Sequence, residues 1–452
     1  MYRPATLGDR TVVHIQNNDR KICSKASELL ILHKHRLAMI VKTFVLKKSS
    51  IDAISMLCGE GTIAVIRPQR KIEAVFREAV FKTLVEKKSA DEEMTRIREY
   101  FQSMDADPAY RAGVEKTVDA IATYLREAMY VQTAPTAIED YVMAKCARLC
   151  AEAVNQRVKG TFIDGTELMI CSGVEHFDWA ASRQQIAARC PATGNLVISG
   201  GYGRLTSGYV VRVGKDGAHL MAALIASVLK ARSIEFHIEA HGVDGVGAMT
   251  YDEAAHYCAS AKAPFSSSAI WPAKNAGIPI LVKDIEDEDF EGTLISTGSA
   301  HKTAVIADSD LDLITVYGTG LLGRVGMSGA IFSCLADKGV NVRFIAQTSS
   351  EYSISFAIRS EEKDAALEAI RGLFIENPLL PLDDVVVLNQ AVGIITVFGS
   401  RMRNLPGTSA AVFGKMGEAG INIIASAQGG EELSISLVVS ADDLEKATEV
   451  LQ

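Results

Sequence analysis

At 452 residues, with 48% hydrophobic and 23% charged side chains, the chain has the make-up of a soluble globular protein of roughly two to four domains. A net charge of −8 with no basic arm excludes nucleic acid or an acidic membrane as the main partner. No apolar run approaches the roughly eighteen residues of a membrane span. The opening Met1-Tyr2-Arg3-Pro4-Ala5-Thr6 lacks the apolar core of a signal peptide. The 8 scattered cysteines include no Cys-x-x-Cys pair, so a zinc ribbon is not expected and a reduced, cytoplasmic protein is.

In chain order, Thr11–Ile15 reads as a first strand, Ala26–His33 as a short helix and Leu37–Val41 as a second buried strand. This β-α-β rhythm predicts a parallel sheet. The turn after Ile15, Gln16-Asn17-Asn18-Asp19-Arg20, has none of the glycines that let backbone N–H groups close on a phosphate. Lys71–Lys88, Asp91–Met104 and Val114–Ala128 carry apolar residues three and four apart and read as amphipathic helices punctuated by Pro108 and Pro135. Asp140–Cys150 opens another helix. The α/β rhythm then returns. Leu196–Ser199 is a strand leading into Gly200-Gly201-Tyr202-Gly203. Gly214-Lys215-Asp216-Gly217 precedes a helix over Ala218–Lys230. Glu235–His241 and Gly277–Val282 are further strands, and Gly292–Ile295 closes the region.

The last third repeats itself. Thr315-Val316-Tyr317-Gly318 returns as Thr396-Val397-Phe398-Gly399, an offset of 81 residues. At the same offset Val325-Gly326 answers to Pro406-Gly407, Gly339-Val340-Asn341 to Gly420-Ile421-Asn422, Gln347 to Gln428, and Glu351–Ser355 to Glu432–Ser436. Register kept without an insertion defines a structural unit present twice. Each copy reads strand, helix, strand, strand, helix, strand.

These features in this order resemble the aspartokinases over nearly the whole chain. The resemblance is strongest in the repeats, which look like the tandem ACT domains of the monofunctional enzymes. It implies an α/β protein: an amino-acid-kinase-like three-layer αβα sandwich at 1–300, with a helical insertion about 67–135, then ACT domains (βαββαβ, ferredoxin-like) at 303–378 and 385–452. It also implies an amino-acid effector of the lysine or threonine class and a homodimer formed through the ACT domains. Gly326 and Gly407 sit where glycine lets a backbone N–H at a helix N-terminus meet a ligand carboxylate. Gly326, Asn341, Gln347, Ser349, Asn422 and Gln428 are the effector-binding candidates. The alternative for these polar groups is that they hold the paired ACT domains together.

In the kinase-like part the resemblance places Gly200, Gly203, Gly214 and Gly217 as nucleotide-binding candidates. Lys215, Glu239 and Lys262 are vestigial catalytic candidates. Phosphoryl transfer needs cations and amides at the developing charge, and most of the family's residues for this are replaced. His14-Ile15-Gln16-Asn17-Asn18-Asp19 stands where the family has Lys-Phe-Gly-Gly-Thr-Ser. Cys146-Ala147 replaces a Gly-Glu whose carboxylate meets the substrate ammonium. Lys215 replaces an arginine and loses its fork. Ala218-His219 replaces a Ser-Asp, Ile238-Glu239 a Thr-Asp, and the Asp-Pro-Arg loop is lost between Gly245 and Thr250. Losses on both the nucleotide and the amino-acid side predict a silent kinase domain, with Mg-ATP a cofactor only if activity remains.

The expected role is therefore regulation or amino-acid sensing, with association with a true aspartokinase as a further expectation. The alternatives are an active or repurposed amino-acid kinase and a silent scaffold. His237, Glu239 and His241 alternate on one strand face, with His219 nearby, and raise the question of a metal. Residues two and four apart lie about 7 and 13 Å apart on a strand, too far for one ion to hold both histidines, so no metal is expected. Cys146 and Cys150, one helical turn apart, read as small buried side chains rather than nucleophiles. His176, His256 and His301 have no partner legible in the sequence.

Overall fold

A computed structural model describes residues 39–46, 50–130, 135–173, 176–191, 193–214, 216–238, 246–258, 263, 265–285, 287, 291–298, 304–376, 386–399, 402 and 404–452. The expected strand at Thr11–Ile15, the helix at Ala26–His33 and the turn between them lie outside these residues, as do Lys215, Glu239, His241, Lys262 and His301. The chain divides into two compact units. The first is Met1–Lys42, Leu46–Val211 and Ile225–Ser233; the second is Thr43–Val45, Arg212–Leu224 and Ile234–Gln452.

In the first unit, strands β1 (Ile40–Leu46), β2 (Thr62–Pro68), β3 (Thr161–Ile163) and β6 (Leu196–Ser199) lie in the order β1-β2-β6-β3. β2 and β3 both run parallel to β6. Leu37 and Ala38 of the expected strand lie outside the described residues; β1 runs past the expected end at Val41 to Leu46. Lys42 and Thr43 look polar enough to end a strand, but both are buried, and Phe44, Val45 and Leu46 continue the core. A parallel strand covered on both faces reads as a continuous run, so one lysine is a poor end-marker.

Of helices α1 (Ile51–Leu57), α2 (Arg70–Leu84), α3 (Asp91–Gln102), α4 (Pro108–Ala128) and α5 (Pro135–Val158), α5 packs beside β2, β3 and β6, and the other four pack against α5. The two prolines expected as punctuation stand at the first helical positions of α4 and α5. There the missing N–H costs nothing and the fixed φ suits the helix. Asp107 caps α4 by accepting from the Ala109 N–H at 3.3 Å. A second sheet, in the order β5-β4-β7-β8, comprises β4 (Ile170–Gly173), β5 (His176–Phe177), β7 (Tyr202–Leu205) and β8 (Val210–Arg212). Helix α6 (Trp179–Arg189) follows β5.

In the second unit, β9 (Ser233–Ile238), β11 (Ile280–Asp284), β12 (Thr293–Ile295) and β10 (Ala248–Met249) lie in that order. Helix α7 (Gly217–Leu229) precedes β9, and α8 (Tyr251–Tyr257) and α9 (Ile270–Ala276) follow β10. α8 opens on a capping box between Thr250 and Glu253. β11 starts three residues after the expected Gly277, because Gly277 adopts φ 66° as the left-handed cap of α9.

The repeats build one six-stranded sheet. Its strands are β13 (Ala304–Tyr317), β14 (Phe344–Gln347), β15 (Ser353–Arg359), β16 (Val386–Phe398), β17 (Ala425–Gln428) and β18 (Ser434–Ser440), in the order β14-β15-β13-β16-β18-β17. Helices α10 (Met327–Asp337) and α11 (Lys363–Glu376) cover the first repeat; α12 (Thr408–Glu418) and α13 (Leu444–Leu451) cover the second.

The two copies are not separate cuts of chain, as the sequence reading had them. β13 has 14 residues, and a bulge between Asp308 and Leu311 divides it. Leu311–Tyr317 pairs with β15 inside the first repeat. Ala304–Asp308 pairs with Phe398–Ile394 of β16 and supplies the second repeat's fourth strand. Val386–Val392 of β16 returns the exchange against the first repeat. Both long strands gain full hydrogen-bond ladders in this way, leaving no unpaired edge in the middle of the sheet.

Candidate functional site

In the first unit the glycine run after β6 serves packing. The Gly200 N–H donates to the Ile66 carbonyl at 2.8 Å, so it is already committed. Gly203 lies in β7, where a Cβ would stand 2.6 Å from the Met169 carbonyl oxygen and 2.9 Å from Cys171 Sγ. Its glycine answers a backbone–backbone approach within the sheet. The Ser199 hydroxyl accepts from the Gly165 N–H at 2.9 Å and donates to Asp164 Oδ1 at 3.3 Å.

Burial is the main cause that pushes the Tyr202 phenol well up, with Glu73 and Asp140 adding to it and Arg77 opposing it. Burial also raises the Glu73 carboxyl. Cys146 and Ala147 are 0% and 1% exposed in α5. Burial and the neighbouring Cys150 push the Cys146 thiol well above its ordinary range, so it stays protonated and unreactive.

In the second unit, Gly214 adopts φ 83° with open space around it, and Gly217 opens α7. His219, on α7, packs its ring 4.5 Å from Phe236 of β9. His237 follows Phe236 on the strand and so faces the other way. There it stacks on Phe44 at 4.6 Å and meets Glu235 at 2.9 Å. His219 and His237 thus lie on opposite faces of β9. Among the described residues no group of three or more His, Cys, Asp or Glu side chains is placed to hold a metal ion. His256 has a partner that the sequence concealed, Glu431 at 3.6 Å.

The repeats present the same polar arrangement twice. Gly326 caps α10 at φ 92°, ψ 0°, and Gly407 caps α12 at φ 92°, ψ −7°. Glycine tolerates this left-handed backbone without strain. One residue into each helix, Ser328 and Ser409 donate to Gln347 Oε1 and Gln428 Oε1 at 3.4 and 3.3 Å. The carboxylates of Glu351 and Glu432 accept backbone N–H groups from Gly323 and Asn404 at 3.2 and 2.7 Å. These bonds hold the loop before each helix against the following β-hairpin. Each helix's first turn leaves N–H groups without intrahelical partners and carries the positive end of the dipole. Beside it stand an amide and a hydroxyl, a set suited to a small carboxylate with a polar tail.

Of the expected effector residues, Gln347 and Gln428 join Gly326 and Gly407 in these clusters. Asn341 stands beyond the other end of β14, where its N–H donates to Glu362 Oε1 at 3.1 Å. Asn422 stands correspondingly before β17, and Ser349 lies exposed in the turn after β14. Ser328 and Ser409 went unnoticed in the sequence. Their equal spacing after Gly326 and Gly407 was the available signal.

Comparison with known proteins bears on both halves. The ACT domain family matches residues 314–374 and 395–452. A bifunctional aspartokinase/homoserine dehydrogenase of Zea mays is 28% identical over 279 residues, 58% of this chain and 30% of that protein. The aspartokinase of Schizosaccharomyces pombe is 25% identical over 356 residues, 68% of this chain and 66% of that one. E. coli aspartokinase III, solved in complex with lysine and aspartate, superposes with a TM-score of 0.74 at 18% identity, covering 91% of this chain and 98% of its own.

This chain is an aspartokinase homologue. It has the aspartokinase fold and ferredoxin-like ACT domains, and it spans about a third of the length of the bifunctional relative. No helix of the described residues is long and apolar enough to cross a membrane.

Proposed function

We propose that this aspartokinase homologue senses a free amino acid through its ACT domains and has lost phosphoryl transfer. In this reading residues 1–300 form the kinase-like domain, and 303–378 and 385–452 the ACT domains, with β13 and β16 shared between the latter. The observation that carries it is a contrast inside one chain. The glycine cap, Ser–Gln pair and Glu–backbone clasp stand in both repeats in one register. In the kinase-like part the place of the carboxylate that would meet a substrate ammonium is taken by the buried Ala147, beside the buried Cys146 thiol, and the glycine run is spent on packing.

The effector is of the lysine or threonine class. The E. coli relative was solved with lysine, which supports that class. The protein acts as a homodimer through the ACT domains, or associated with an active aspartokinase, in aspartate-family amino-acid metabolism.

Thermal denaturation with each L-amino acid, run beside a coupled assay of ADP release from Mg-ATP and aspartate, tests this. At a hundredfold excess over the dissociation constant a ligand stabilises the folded state by about 2.7 kcal/mol. One amino acid should raise the melting temperature and no aspartate-dependent ADP should appear. Aspartate-dependent ADP release would return the chain to the active kinases. A flat response to every amino acid would leave a scaffold.

A further inference from the structure

We propose that the two repeats together carry a further ligand site, on the face of their shared sheet away from the helices, built for a small carboxylic acid of amino-acid size. None of its residues belongs to the clusters at Gly326 and Gly407.

Strand alternation creates the site. Ile395, Val397, Ile435 and Leu437 point into the helix-covered core of the second repeat. Their neighbours Thr396, Ser434 and Ser436 therefore face the other way. They line a pocket of about 110 Å³ there, together with Asp308 and Arg343. The Thr396 and Ser436 hydroxyls lie 3.0 Å apart across the β16–β18 ladder. Arg343 donates from Nη2 to Asp308 Oδ2 at 3.2 Å, and Arg359 stands 4.0 Å from the other oxygen of Asp308. His256 of α8 lies on the rim, beside Glu431.

The internal repeat shows that this charge is not required by the fold. Asp308 pairs with Ile394, and at the matching place in the first repeat Leu313 pairs with Gln390. The Arg343 N–H donates to the Ala357 carbonyl, and 81 residues on the Ile424 N–H donates to that of Val438, both at 2.8 Å. Backbones so alike bring Asp308 of the second repeat's sheet to Arg343 of the first, while the matching positions across the shared sheet are Gln390 and Ile424. The hydroxyls, by contrast, stand in both: Thr315 and Ser355 repeat the Thr396–Ser436 pair at 2.9 Å. An ion pair present at one of two matching junctions between the repeats is a feature of that site, not of the architecture.

Charge and size select the ligand. Of the charged lining residues, Arg343 is a cation and Asp308 an anion, so the pocket offers one guanidinium and one carboxylate. A guanidinium has five donors in a planar fork that matches a carboxylate. The hydroxyls can donate to a ligand carboxylate, and Asp308 can accept from an ammonium or hydroxyl. A volume of about 110 Å³ is room for about four waters at roughly 30 Å³ each. It is well below the roughly 300–1,000 Å³ of pockets for drug-sized ligands, which suits a ligand of amino-acid size.

The test is calorimetric titration of the full chain with the L-amino acids, acetate and succinate. At least one of these carboxylates should bind, with an affinity that Arg343→Gln and Ser436→Val each lower by about tenfold or more, the worth of one charge-assisted hydrogen bond. Gln347→Ala and Gln428→Ala should leave that binding unchanged, which separates this site from the helix-end clusters. Binding of acetate or succinate without any amino acid would identify the ligand as an organic acid and support the site. If Arg343→Gln does not fold, as judged by circular dichroism, Ser436→Val decides. The proposal is overturned if no probe binds, or if every binding event survives the substitutions that fold.

Discussion

Substituting Gly203 by alanine separates a phosphate-cradling glycine from a packing one. Its Cβ would stand 2.6 Å from the Met169 carbonyl oxygen and 2.9 Å from both Met169 Cβ and Cys171 Sγ. The obstacle includes backbone, and Met169 and Cys171 are themselves buried, so neither yields easily. Forcing one methyl into such a place costs about 1–3 kcal/mol. For a domain of some 150–250 residues each kcal/mol moves the melting temperature by about 2–4 °C, so Gly203→Ala should melt between about 2 and 12 °C below the parent. The control is Gly113→Ala in α4, where nothing lies within 4 Å of the new Cβ. There the gain in helix propensity, about 0.5–1 kcal/mol, should raise the melting temperature. Differential scanning fluorimetry with and without Mg-ATP reads both. A Gly203→Ala variant that melts with the parent but loses an ATP-dependent shift would refute the packing argument and restore a nucleotide role to the loop.

Three other outcomes follow from the geometry. Phe356 is fully buried in the first repeat's core, so Phe356→Ala should cost about 3–5 kcal/mol in urea unfolding. Burial disfavours the charge on Asp312, but hydrogen bonds from Ser360, Asn389 and Lys363 outweigh it and hold the carboxyl below its usual range. Its stabilisation is therefore complete above the unfolded pKa of about 3.9 and lost as pH falls through the lower folded value. Asp312→Asn should flatten that acid limb; an unchanged limb in acid titrations of stability would show the carboxylate contributes nothing. Cys146 and Cys150 are 0% exposed, and burial raises the Cys146 thiol. Both should resist iodoacetamide in the native protein and label only on unfolding, as mass spectrometry would show.

Much of this was legible in the chain itself. The repeat at an offset of 81 residues gave the two ACT units, because identical backbones need the same glycines at Gly326 and Gly407 and the same hairpin residues. Strand β6 stands at the residues read for it, Leu196–Ser199, since a short apolar run bounded by turn residues has few other folds. The amphipathic helices α2, α3 and α4 followed from their period.

Tertiary structure decided the rest. Periodicity states which face of an element is buried, but not which element covers it. The sequence therefore could not show that Ala304–Asp308 completes the second repeat, nor that this exchange carries Asp308 to Arg343. It could not tell that Gly203 faces Met169 rather than a phosphate, because a glycine in sequence looks the same whatever approaches it. Nor could it place His219 and His237 on opposite faces of β9, since that depends on which side of the strand α7 packs. Local patterning fixed the elements; contacts between residues distant in sequence fixed what each polar group meets.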